Sequence, residues 1–199
     1  MTTVYTAASM SLDGYIAGPD ETGFEHLFKW YSDGEVTVET TDPELTMQMS
    51  PANAEFFRMI METTGALVVG RRLFDFTKGW GGRHPLGRTT VVLTHSVPDG
   101  WEREGENFVF VSEGIEAAVA RARELADGKD VGLNGGMIAS QALDAGLLEE
   151  VRVSLVPVLL GAGTPFFSQL KLAPRVLEGP ADVRESSAAT HLTYRVTSS

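Results

Sequence analysis

Asp130-Val131-Gly132-Leu133-Asn134-Gly135-Gly136-Met137-Ile138 is the stretch on which the reading of this chain turns. A short apolar run of strand character ends at two glycines, just where the alanine-containing helical pattern of residues 137–148 begins. Glycines at such a junction let an anion approach the backbone, and the first N–H groups of the helix, at the positive end of its dipole, then bind it. A lone Gly-Gly also makes a tight strand-to-helix turn with no ligand at all, and on this stretch alone the two readings weigh equally.

The same pattern of an apolar run followed by a polar turn recurs upstream. Ala66-Leu67-Val68-Val69 runs into Gly70-Arg71-Arg72, residues 89–94 run into His95-Ser96, and residues 107–111 run into Ser112-Glu113. Helical spacing covers residues 53–63, 73–77, 115–126 and 137–148, with Gly65 read as the stop of the first of these. Strands alternating with helices imply a mostly parallel sheet wound by crossovers, and hence an α/β fold. After Glu150 the alternation stops. Residues 151–160, 183–187 and 192–197 are strand-like with no convincing helix between them, so the sheet is expected to finish with antiparallel strands, residues 161–182 forming a long connection. At the other end, residues 4–8 form a strand that opens into a turn-rich segment over residues 9–20. Residues 21–51 show no sustained period and read as a long loop or a pair of weak elements, with residues 10–52 as a whole suited to act as a lid.

Ligands of open α/β sheets bind at the carboxyl ends of the strands, so the three polar turns are expected to converge. Gly70-Arg71-Arg72 offers guanidinium forks that grip phosphate oxygens in pairs, and Thr94-His95-Ser96 adds two hydroxyls and an imidazole. The composition agrees with a folded domain: 199 residues, 43% apolar and 22% charged, with no repeat or linker, are expected to form a single domain over residues 1–199. A net charge of −11 repels phosphate polymers and anionic lipid, so neither nucleic acid nor a membrane is an expected partner. Any anion site must be locally basic. The sequence contains no cysteine, which removes thiolate and disulfide chemistry, and its four scattered histidines have no metal-ligand spacing, so no metal is expected. No leader or membrane-length apolar run stands out, and a cytoplasmic address is the expectation.

Four segments, in order along residues 4–197, carry a family resemblance. They are Ala7-Ala8-Ser9-Met10-Ser11-Leu12-Asp13-Gly14-Tyr15-Ile16-Ala17-Gly18, Val68-Val69-Gly70-Arg71-Arg72, Asn134-Gly135-Gly136, and Pro157-Val158-Leu159-Leu160-Gly161-Ala162-Gly163-Thr164-Pro165-Phe166-Phe167. Together they resemble the dihydrofolate-reductase superfamily, and within it the branch containing the reductase domain of bacterial riboflavin biosynthesis. The resemblance implies a three-layer fold around the mostly parallel sheet and an NADPH-dependent reductase of a small heterocyclic, carbonyl or imine substrate. By the same analogy Ala8 and Ile16 line the nicotinamide site, and Gly70, Arg71 and Arg72 hold phosphates of the adenosine half. Thr94, His95 and Ser96 meet the 2′-phosphate and adenine, and Asn134, Gly135, Gly136, Met137 and Ile138 hold the pyrophosphate. Relatives in this branch are commonly dimers, which makes a homodimer the expectation; the apolar segment 151–167 is either its shared surface or an internal strand.

The acid that the chemistry asks for is less well marked. Dihydrofolate reductases carry one on the first helix, about sixteen residues before the Gly-Arg turn, and counting back from Gly70 reaches Ala54, between Asn53 and Glu55. One residue of offset turns a helix by about 100°, so Glu55 is a weak catalytic candidate, and a solvated first-turn carboxylate is its plain alternative. Asp13, in the loop after the first strand, is the better candidate for proton donation or substrate binding, set against simple Asp-Gly turn formation. Phe24, Phe28 and Trp30 are candidates to cap an aromatic substrate from the lid, set against packing in the core. A different class stays open beside the enzyme: a sensor or carrier that keeps the nucleotide pocket without turnover.

Overall fold

The structure is a computed structural model, which describes residues 2–197. The chain runs β1 (Val4–Ser11), β2 (Tyr15–Ala17), α1 (Phe24–Leu27), β3 (Val36–Val38), β4 (Met47–Met49), α2 (Pro51–Thr63), β5 (Thr64–Gly70) and α3 (Arg71–Phe76). It continues with β6 (Thr89–Leu93), β7 (Phe108–Val111), α4 (Ile115–Leu125), β8 (Asp130–Asn134), α5 (Met137–Asp144), β9 (Glu150–Val156), β10 (Thr164–Pro165), β11 (Leu177–Glu185) and β12 (Thr190–Val196).

Eight strands form one sheet in the order β11-β12-β9-β1-β8-β5-β6-β7. From β9 to β7 every neighbouring pair is parallel, and β12 and β11 close the other edge antiparallel. This is the α/β fold expected from the alternation of elements, with antiparallel strands at its C-terminal end. The parallel strands are covered on both faces, which is why β5 carries a buried run from Ala66 to Val69 instead of an alternating one and even β7, at the sheet edge, is buried at all four positions. On one face Val68, Val91, Val109 and Leu133 pack against Val119 and Ala122 of α4 and Ile138 of α5. On the other, Tyr5 packs with Phe56, Phe57 and Ile60 of α2, while Val69, Val92, Phe108 and Phe110 surround Phe74 of α3.

Several boundaries differ from the sequence reading. β1 extends through Ser9-Met10-Ser11 because it pairs with β9 as far as Ser11 opposite Val156. The weak segment 21–51 holds α1, a 3-10 turn over residues 29–32 and the hairpin β3–β4. Gly65 does not stop α2: the helix ends at Thr63 and Gly65 lies inside β5. A glycine is needed there because a Cβ at residue 65 would stand 2.1 Å from the carbonyl oxygen of Ala126, where the end of α4 crosses the strand. Of the two readings of the late apolar segment, residues 150–156 are the internal one, since β9 is flanked by β1 and β12. No helix among the described residues is long and apolar enough to cross a membrane.

Candidate functional site

The carboxyl ends of β5, β6 and β8 meet, and hydrogen bonds tie them together. The Gly70 N–H donates to Asn134 Oδ1 at 3.2 Å, joining the tip of β5 to that of β8, while Asn134 Nδ2 donates to the Gly135 carbonyl at 2.7 Å. Arg71 bridges β5 to β6: its Nη1 donates to Thr94 Oγ1 at 3.3 Å and to the Ser96 carbonyl at 3.1 Å. Its Nε is held between both carboxylate oxygens of Asp75, one turn on in α3, at 2.7 and 2.8 Å. The three turns therefore form one continuous rim. Thr94 is buried within it, whereas Arg72, His95 and Ser96 are exposed.

The glycine pair sits where α5 begins. Gly136 has φ +80° and ψ −139°, a backbone region that other residues rarely adopt. A Cβ on Gly135 would lie 3.1 Å from Ile16 Cδ1 and 3.4 Å from Ala8 Cβ, so Ala8, Ile16 and Gly135 make one close apolar contact. The Gly136 N–H is already used: it donates to the Phe166 carbonyl at 2.7 Å. The first backbone bond within α5 runs from Ser140 N to the Gly136 carbonyl, so the N–H groups of Met137, Ile138 and Ala139 have no acceptor inside the helix. Met137 is exposed, while the Ile138 side chain is buried against Gly70.

The segment 157–167 braces this end of the sheet. The Leu12 N–H donates to Val158, that of Phe166 to Gly14, and β10 pairs with β2. Asp13 is part of the brace: it accepts from Ser11 Oγ at 2.6 Å and from the Leu160 and Gly161 N–H groups at 3.1 and 2.7 Å. The Ser11 bond, helped by the two backbone donors, holds its carboxyl below the usual carboxylate range. Asp13, expected as a proton donor or substrate contact, is thus found stapling the loop after β1 to residues 160 and 161.

Against the rim lies the start of the segment expected to act as a lid. Glu21 forms an ion pair with Arg72, and Phe24 of α1 packs on Phe76 of α3 with ring centroids 5.4 Å apart. Phe28 stacks on Phe24 and on Tyr31. Trp30, expected to cap a substrate, is instead a core residue, 3% exposed: its indole N–H donates to Ser9 Oγ at 2.9 Å and its ring meets Phe56, Phe57 and His191 edge-on. Glu55, the other acid candidate, is exposed on α2 and paired with Arg184 of β11 at 2.9 Å, and no ion pair or hydrogen bond joins it to the three turns.

Beneath α2 the structure reveals a buried polar chain that the sequence did not disclose. Asn53 Nδ2 donates to Asp33 Oδ2 at 2.8 Å and to the Trp30 carbonyl at 3.4 Å. Since both partners accept, Asn53 Oδ1 must take the proton of His191 Nε2, 2.8 Å away, and His191 Nδ1 then accepts from Ser154 Oγ at 2.9 Å. Burial, assisted by the charge of Arg184, lowers the His191 pKa to about 4, so the imidazole is neutral. The side chain nearest the place where an acid was sought is thus an amide with all its groups engaged. Only the spacing from Gly70 hinted at this position, and nothing local marked His191 or Ser154 as its partners.

The model of the RibD C-terminal domain family matches residues 2–184. Among curated proteins, the uncharacterized protein YwjB of Bacillus subtilis (strain 168) is 24% identical over 110 residues, which span 55% of this chain and 62% of that protein. Among solved structures, a putative riboflavin biosynthesis protein from Shewanella sp. PV-4 superposes with a TM-score of 0.73 at 21% identity, covering 99% of this chain and all of that one. Dihydrofolate reductase from Enterococcus faecalis, complexed with NADP(H) and RAB-propyl, gives 0.55 at 19% identity, covering 98% and 97%. Those two likenesses speak for the fold, a sheet of dihydrofolate-reductase type, and the family match covers the glycine pair, the arginine turn and the braced loop together. On that match the chain belongs to the RibD C-terminal domain family, a reductase-like family.

Proposed function

We propose that this protein is an NADPH-dependent reductase of a small heterocycle bearing a C=O or C=N bond. The observation that carries the reading is the single rim made by Gly70-Arg71-Arg72, Thr94-His95-Ser96 and Asn134-Gly135-Gly136, tied by Gly70 N to Asn134 and by Arg71 to Thr94 and Ser96. Its donor chemistry fits a phosphorylated dinucleotide. The N–H groups of Met137, Ile138 and Ala139, which have no acceptor inside α5, suit a pyrophosphate, with Gly136 shaping the turn instead of donating. Arg71 keeps Nη2 outside the bonds that fix it, and the exposed Arg72 holds one acid partner, Glu21. Both suit the charge of a ribose phosphate. Asn134 acts as a positioning group that sets the spacing of the two strand tips.

When bound, the cofactor supplies hydride chemistry, which no side chain provides. The chain's own part is to place and to shield. Ala8, Ile16 and Gly135 offer a close apolar surface for the nicotinamide end, and the expected lid segment lies against the rim through Glu21 to Arg72 and through Phe24 to Phe76. Arg72→Ala is expected to weaken NADPH binding about tenfold or more, as loss of a charge-assisted bond does, and to leave NADH nearly unchanged. Calorimetric titration of both nucleotides checks this, and an equal loss for the two would reject the phosphate assignment. Asp13 engaged in its loop and Glu55 paired with Arg184 favour a second reading, a nucleotide-binding sensor or carrier without turnover. NADPH oxidation across pterins, pyrimidinones and small carbonyl compounds separates the two, since tight binding with no turnover marks the sensor.

A further inference from the structure

The two arginines of the turn after β5 are held in different ways. Arg71 is fixed within the rim by Asp75, Thr94 and Ser96. Arg72 is tied to a distant part of the chain: among the described residues its ion-pair partner is Glu21, which lies between β2 and β3. The Glu21 side chain is 22% exposed and that of Arg72 73%, so the acid is largely covered while the arginine stays open to solvent.

The backbone that presents Glu21 is strained. Asp20 and Glu21 have φ of 53° and 57°, a left-handed region that residues with a Cβ rarely adopt and that persists where surrounding contacts hold it. The Gly18 N–H donates to the Thr22 carbonyl, and the N–H and Oγ1 of Thr22 both donate to the Pro19 carbonyl, which closes a tight turn. This turn leans on one face of α3: Glu21 meets Arg72, and Phe24 meets Phe76, four residues further along the helix. Arg72 cannot serve two anions at once. A phosphate brings three acceptor oxygens and nearly two charges to a guanidinium fork, and a carboxylate beside it repels it.

We infer that Glu21 is an internal competitor for the phosphate site: its carboxylate occupies Arg72 in the free protein, and a phosphate group binding there displaces it and frees residues 18–24 from α3. This rests on the reductase reading, for which it names a residue that limits how tightly the phosphorylated nucleotide is held and how far NADPH is preferred over NADH.

A double-mutant cycle read by calorimetry tests it. Exposed ion pairs are weak, so Glu21→Gln should bind NADPH about two- to fivefold more tightly than the wild type and NADH equally well, and the gain should vanish when Arg72→Ala is present in both proteins. Asp20→Asn removes the neighbouring charge, suits the left-handed backbone and leaves the pair intact, so it should change neither affinity. Inorganic pyrophosphate supplies a second readout without any nucleotide. In hydrogen exchange it should speed peptides covering residues 18–24 of the wild type beyond the effect of sodium chloride at equal ionic strength, and it should do nothing of the kind to Glu21→Gln. An NADPH affinity of Glu21→Gln no higher than that of the wild type, a gain that persists beside Arg72→Ala, an equal gain in Asp20→Asn, or exchange indifferent to pyrophosphate would overturn the inference. Where the wild type binds NADPH and only these contrasts fail, Glu21 alone is at fault. Where no protein binds NADPH yet pyrophosphate releases residues 18–24 of the wild type alone, the cofactor assignment falls and the competition stands.

Discussion

At the scale of single residues, His191 shows how burial sets a pH response. Its ring is 1% exposed, lies 3.8 Å from Phe56 in a parallel stack, and sits between Ser154 and Asn53 with its pKa lowered to about 4. His84, packed by Trp80 and accepting the Leu86 N–H at Nδ1, is lowered to about 4 by burial as well. The unfolded chain takes up these protons near pH 6.5 and the folded one near pH 4, so stability is held above pH 6.5 and lost as pH falls through that window. The loss is on the order of 2–3 kcal/mol per imidazole. Urea denaturation from pH 7 to 4 should show it, and replacing both histidines by glutamine should flatten the slope; an unchanged slope would exclude them as its source. The candidate site was least legible at this scale. Asp13 and Glu55 read plainly as acids, but their partners, Leu160 and Arg184, lie 147 and 129 residues away, and only the topology brings them together. Trp30 was recognisable as a large aromatic, yet the bond to Ser9 that makes it core is equally non-local.

Elements were far easier to read, because strands buried on both faces and helices with a stripe of alanine and valine declare themselves by composition alone. The turns after β5, β6 and β8 and the start of α5 fell where the apolar runs ended. What failed was punctuation. Gly65 looked like a helix stop, but its reason is tertiary: the Ala126 carbonyl occupies the place of a side chain. Gly65→Ala should therefore destabilise the protein by about 2–4 kcal/mol, with the damage at the β5–α4 crossing, since backbone cannot yield as a flexible side chain does. Equilibrium urea unfolding measures this, and a change within about 0.5 kcal/mol would mean that the crossing is looser than the geometry implies. The braced segment 157–167 was legible as a motif only. Its work is to hold the loop after β1 and to take the Gly136 N–H, and that became visible only with β10 paired to β2.

For the molecule as a whole, a net charge of −11 is compatible with the proposed phosphate site because screening confines the global field, while Arg71, Arg72 and the N-terminus of α5 would act at contact range. The sheet makes this possible by setting β8, β5 and β6 side by side, so that turns more than sixty residues apart share one edge. The same arrangement puts the segment between β2 and β3 in contact with both the arginine turn and α2. Hydrogen exchange followed by mass spectrometry, with and without saturating NADPH, reads that shared edge directly. Peptides containing residues 70–72, 94–96 and 134–139 should slow together, while the distant β11–β12 edge exchanges unchanged. Protection of only one of the three turns, or none at all, would contradict a single nucleotide slot.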